Sequence, residues 1–92
     1  MSKTNKYPSS ENHNLFLDTG KHIAFYRQRA GMTQTQLAAA VGVSRTYISR
    51  IESQNQVQAF SMELLFDISK ALDIPVHLLF MPLKGGRKRK NQ

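Results

Sequence analysis

The chain has 92 residues, 40% of them hydrophobic, which is enough apolar material for one small core and not for two. It contains no Cys, which excludes disulfides and cysteine-ligated zinc or iron–sulfur sites, and no apolar run approaches the ~18 residues of a membrane span. Thirteen Lys and Arg against six Asp and Glu leave a net charge of +7, so an anionic partner is the first expectation. The polar start MSKTNKYPSS is not a secretory signal, and together these features point to a soluble protein of a reducing cytoplasm.

Residues 1–14 are polar and aperiodic and read as a disordered arm. From Asp18 the pattern becomes helical. Gly20, Ile23, Tyr26, Arg27 and Ala30 recur at three- and four-residue steps, and Gly31 stops the helix. Thr33-Gln34-Thr35-Gln36 then forms a capping box, in which the Thr33 hydroxyl accepts from the amide of Gln36 and the Gln36 side chain reaches back. Leu37, Ala38 and Val41 face inward on this second helix, and Gly42 suits the left-handed position after its end.

Ser44 is an N-cap for a third helix whose apolar positions are Ile48 and Ile51. Its other face carries Arg45, Thr46, Ser49, Arg50 and Ser53, with no acid among them. A merely solvated face would more often pair Glu with Lys. Residues 54–60 show no single period and read as a loop. Ser61 caps a fourth helix with Met62, Leu65, Ile68, Ser69 and Leu72 on one stripe. Pro75 opens a short fifth helix through Phe80, and Pro82 ends it. The fold class is therefore all-α, a five-helix domain over residues 15–83 with disordered termini.

Most of the net positive charge lies at the end of the chain. Lys84, Arg87, Lys88, Arg89 and Lys90 sit in a Gly-containing basic tail, residues 84–92, expected to be disordered. That tail is either solubilising or an arm for phosphates. Within the core, Lys21, Arg27, Arg29, Arg45 and Arg50 precede Glu52, whereas Glu63, Asp67 and Asp73 outnumber Lys70 after it. The basic half of the core contains the second and third helices.

Two short helices joined by Gly42-Val43-Ser44 have the spacing of a helix-turn-helix. A close crossing needs a small residue, which Ala38 supplies, and the turn needs positive φ, which Gly42 supplies. Apolar anchors come from Leu37, Val41, Val43, Ile48 and Ile51. What remains outside on the third helix is polar and basic, which suits a major groove.

Residues 33–52, TQTQLAAAVGVSRTYISRIE, closely resemble the Cro and phage-repressor (XRE-type) helix-turn-helix domain. The flanks IAFYRQRAGM (23–32) and LLFDISKALDIP (64–75) resemble that family's first helix and its fourth helix with the following turn, so the likeness spans roughly residues 18–80. It implies a DNA-binding transcriptional regulator, most simply a repressor that occludes a promoter. By this resemblance Gln34 braces a phosphate and supports a base contact, and Arg45, Thr46 and Arg50 read base edges. Ser49 shares their face and could add a contact. An Arg fork suits guanine O6 and N7, and Thr suits a thymine methyl, so G-containing half-sites are expected. Ser44, Tyr47 and the amide end of the second helix near Thr35 are placed for phosphates, with Lys21 and Gln54, Asn55 and Gln56 as weaker candidates.

The family also pairs the arginine at Arg27 with the glutamate at Glu52; on the apolar stripe an isolated Arg27 would be costly. The chain departs from the family after Glu52. SQNQVQAFS stands where a Gly and then a Pro are usual, which leaves the course of this loop open. Phe66, Val76, Leu78, Phe80 and Met81, with Leu64, exceed what two short helices bury, and they are candidates for a homodimer interface that would supply a second half-site. The alternative function is an antitoxin-like or adaptor module whose apolar C-terminal helix grips a protein partner. RNA binding is disfavoured by the lack of an aromatic stacking platform.

His13, His22 and His77 do not cluster with carboxylates, so no metal or other cofactor is expected and the histidines are assigned to the surface or rim. No GxSxG elbow, HExxH or phosphate-cradling Gly loop is present, and no enzymatic activity is expected.

Overall fold

Hydroxyl caps determine where most of the helices start. In the computed structural model, which describes residues 9–83, α1 spans His13–Arg29, α2 Gln34–Val41, α3 Arg45–Glu52 and α4 Met62–Leu72. Thr33, Ser44 and Ser61 each precede one of the last three helices, and their side chains accept from the amides of Gln36, Tyr47 and Leu64. Each such cap is worth about 1 kcal/mol. At α2 the box is complete, because the Thr33 amide also donates to the Gln36 side chain at 2.8 Å. Among the described residues there is no strand, in agreement with an all-α chain.

α1 begins upstream of Asp18, at His13, and a 3₁₀ turn over Ser10–Asn12 leads into it. Contacts distant in sequence recruit this turn. Phe16 meets Phe60 edge-to-face with ring centroids 5.0 Å apart, and the Gln54 side-chain amide donates to the Leu17 carbonyl at 3.0 Å. Polarity of residues 9–14 gave no sign of either contact. The remaining expected disorder, residues 1–8 and the basic tail 84–92, lies outside the described residues.

The expected short fifth helix through Phe80 is present as a 3₁₀ helix, Val76–Phe80, rather than as a further α-helix. Six residues between an extended Pro75 and Pro82 are too few to nucleate α-helix on their own, and the tighter winding closes the segment with fewer residues. Its anchor is Leu79, fully buried beside Ile23, Leu37, Ile48 and Ile68. Met62, expected on the inner stripe of α4, is half exposed, whereas Leu64 and Leu65 are buried. α4 ends with Asp73 in the left-handed region at φ 58, a position that Asp tolerates better than most residues.

Candidate nucleic-acid interface

α2 and α3 pack against each other through Leu37, Ala38, Ile48 and Ile51, all buried, with Val41 and Val43 half-buried against the same core. The turn between them is closed by Gly42 at φ 78 and ψ 31. The amides of Gly42 and Val43 both donate to the Ala38 carbonyl, at 2.9 and 3.0 Å. A side chain at this φ would cost roughly 1 kcal/mol or more. Once Ile48 and Ile51 are buried, helical geometry leaves Arg45, Thr46 and Arg50 exposed and Ser49 half-buried beside them. No acidic side chain interrupts this strip.

A hydrogen-bonded chain fixes the start of the strip. Glu52, at the end of α3, receives Arg27 Nε at 2.7 Å and Arg27 Nη2 at 2.9 Å, a bidentate pair whose side chains are 10% and 5% exposed. Arg27 Nη1 also donates to the Met32 carbonyl at 2.8 Å, which ties in the loop before α2. The same Glu52 carboxylate accepts from the Gln34 side chain at 2.9 Å, and the Gln34 oxygen accepts from Arg45 Nη1 at 3.1 Å. Three helices thus converge on one carboxylate, and Gln34 aims Arg45. The Arg27–Glu52 pair implied by the family likeness is present in the structure; the link from it to Arg45 had no signal in the sequence beyond the residue types.

Not every phosphate candidate is free for that role. Tyr47 donates its hydroxyl to the Ala59 carbonyl at 3.1 Å, so its one proton ties the loop before α4 to α3. Gln54 is engaged with Leu17, and Asn55 donates its backbone amide to the Ser53 hydroxyl at 3.1 Å. These bonds define the loop whose course the sequence left open. Lys21 is exposed on α1 but lines a groove formed with α4 and the C-terminal 3₁₀ helix. Ser44, Thr35 and Gln56 are exposed, and Ser44 and Thr35 stand at the amide ends of α3 and α2. Tyr47→Phe should therefore lower stability by about 1 kcal/mol through the lost loop bond, with at most a twofold change in duplex affinity. Chemical denaturation and a duplex titration check this.

Two residues acquire roles that sequence reasoning did not assign. Gly20 lies where α1 crosses the end of α3, and a Cβ there would collide with the Ile51 carbonyl. A glycine in the interior of a 17-residue helix was the available signal. His22, expected at the surface or rim, is buried at 7% exposure, because its Nδ1 donates to the Leu79 carbonyl at 2.8 Å and so holds the C-terminal 3₁₀ helix to α1. Among the described residues no group of three His, Asp or Glu side chains could hold a metal ion, and no helix is long and apolar enough to cross a membrane.

Of the interface candidates, Phe66, Phe80 and Met81 are exposed, whereas Val76 and Leu78 are half-buried and Val76 packs on the core. The surface available to a partner is therefore smaller than expected, because Leu64 and Leu79 take up the interior of this region.

A short α2, a left-handed turn and an α3 with a basic outer face define a helix-turn-helix protein. The chain belongs to the helix-turn-helix family, whose model matches residues 23–79, in line with the Cro and phage-repressor likeness. It is similar to the HTH-type transcriptional regulator SinR of Bacillus subtilis, 37% identical over 60 residues that cover 65% of this chain and 53% of SinR. It is also similar to the competence pilus inhibition repressor of Acinetobacter baylyi, 35% identical over 65 residues that cover 71% and 57% of the two chains. The chain thus spans about half the length of the curated relatives it matches.

Among solved structures, the restriction-modification controller protein C.AhdI from Aeromonas hydrophila superposes with a TM-score of 0.65 at 26% identity, over 71% of this chain and 96% of that one. SinR solved in complex with DNA gives a TM-score of 0.60 at 36% identity, over 66% and 95%. SinR solved in complex with the SinI protein gives 0.60 at 36%, over 66% and 58%.

Proposed function

We propose that residues 15–83 bind duplex DNA sequence-specifically through α3 and that the protein regulates transcription, acting as a repressor by occupying a promoter. The observation that carries this reading is the acid-free strip of Arg45, Thr46, Ser49 and Arg50, with Arg45 pre-aimed by the Gln34–Glu52–Arg27 chain. Arg45 and Arg50 read guanine edges, Thr46 and Ser49 add contacts in the groove, and Gln34 supports Arg45. Ser44, Thr35 and the nearby amides take phosphates, while Lys21, Gln54, Asn55 and Gln56 contribute less. Likeness to SinR, a regulator solved with DNA, supports the same reading. No enzymatic step is part of it.

One α3 covers too few base pairs for useful selectivity, so the active species is a two-fold dimer on an inverted repeat, its half-sites about one helical turn apart. Phe66, Phe80 and Met81 are the exposed apolar side chains that a second copy would cover. These same side chains, and the existence of a SinR complex with SinI, favour a protein partner as the second reading. Sedimentation at rising concentration, with and without duplex, separates a second copy from a different protein.

Salt-dependent duplex binding tests the charge side of the proposal. Removing residues 84–92 should lower affinity about equally for all sequences and flatten the slope of log affinity against log salt, because phosphate neutralisation releases counterions regardless of sequence. An unchanged slope would make the tail a bystander.

A further inference from the structure

On the side of α1 that faces α4 and the C-terminal 3₁₀ helix lies an open groove of about 710 Å³, within the range of small-molecule sites. Phe16, Phe60 and Phe80 contribute three aromatic rings to its walls, and Leu65 contributes to its apolar lining. Of the candidate dimer surface, Phe66 and Met81 do not line it, whereas Phe80 belongs to both.

His22 makes the groove more than an apolar face. The ring is more than nine-tenths buried and lines the groove, and its Nδ1 is committed to the Leu79 carbonyl. A carbonyl can only accept, so Nδ1 carries the proton and, in the neutral ring, Nε2 is a lone-pair acceptor. Among the described residues Nε2 has no hydrogen-bond partner. Because the groove is open, solvent can reach this acceptor, and an occupant that donates to Nε2 would pair with it directly beside the aromatic walls in place of water. Lys21 and Asp18 both line the groove and offset one another in charge, which favours a neutral occupant.

We infer that this groove binds a small, neutral, largely apolar molecule carrying one hydroxyl or N–H donor, whose ring or alkyl body lies among Phe16, Phe60 and Phe80 and whose donor meets His22 Nε2. The site shares α1 with the DNA-binding face. Gly20, two residues from His22, abuts the Ile51 carbonyl, and the Leu17 carbonyl holds Gln54. Occupancy therefore loads the same stretch of helix that seats the end of α3.

The test uses the full chain labelled with ¹⁵N and two probes of nearly equal shape, 4-butylphenol and 4-butylanisole, the second lacking the donor. The expected result is saturable shifts of the amides around Phe16, His22 and Phe60, with the phenol binding roughly tenfold more tightly than the anisole. Leu15→Ala, at an exposed position that lines the groove and lies outside the candidate dimer surface, should weaken the phenol severalfold while leaving the free spectrum otherwise intact. Equal binding of the two probes, or shifts scattered over the surface, overturns the inference. So do shifts at these amides that grow with protein concentration alone, which would assign the groove to a second copy. Phenol affinity unchanged in Leu15→Ala would place the probe elsewhere and overturn it too.

Discussion

Glu52→Ala lowers the thermal midpoint by on the order of 15 °C and weakens binding to the preferred duplex site by about tenfold. The first figure follows from burial. Removing one partner of a buried ion pair leaves the other desolvated and uncompensated, which costs roughly 3 kcal/mol or more, and each kcal/mol moves the midpoint of a domain this size by about 4–8 °C. Here the loss is broader, because the carboxylate holds both Arg27 and Gln34. Without it, Gln34 has no fixed orientation from which to aim Arg45. Replacing both charges, Arg27→Met with Glu52→Leu, separates the two effects. Stability returns to within about 1–2 kcal/mol of the parent, since an apolar pair can substitute for a buried ion pair, whereas the loss in duplex selectivity persists. Differential scanning calorimetry and duplex titration of the single and double variants check this. A double variant with full selectivity would show that the pair serves stability alone.

Gly20→Ala destabilises the protein by about 2–3 kcal/mol, opposite in sign to the usual effect. A glycine in a helix interior normally costs up to about 1 kcal/mol relative to alanine, so the substitution would stabilise an open site. At Gly20 the added methyl meets backbone, the Ile51 carbonyl, which cannot rotate away as a flexible side chain could. α1 and the end of α3 must separate, and overpacking of this kind costs a few kcal/mol. Because Glu52 follows Ile51, the displacement reaches the Arg27–Glu52 pair, and duplex affinity falls with stability. Urea denaturation measures the first effect. A midpoint equal to or above that of the parent would contradict the close approach.

The helix-turn-helix was legible because its determinants are local. Thr33 with Gln36, Ser44 with Tyr47, and Gly42 after Val41 each act within four residues, so chain order alone locates both helices and the turn. The polar strip of α3 follows from the burial of Ile48 and Ile51 at a spacing of three. The rest depends on contacts between residues far apart in the chain. Phe16 on Phe60 extends α1, His22 on Leu79 converts a histidine assigned to the surface into a buried tie, and Tyr47 on Ala59 takes a hydroxyl expected on phosphate. Arg27 and Glu52 lie 25 residues apart, and their pairing entered through likeness to a family rather than through pattern. Gly20 shows the same limit, since a glycine in a helix reports a close approach without naming what approaches.

Base readout by α3 is tested most directly by an unbiased selection of bound sequences from a random duplex library, run in parallel for the parent, Arg45→Ala and Arg50→Ala. The expected result is a symmetric enriched motif for the parent and loss of preference at one guanine position per half-site in each variant, with discrimination falling by about 1–3 kcal/mol at that position. Enrichment no better than salt-sensitive binding to any duplex, or a motif that both arginine variants leave intact, would contradict it.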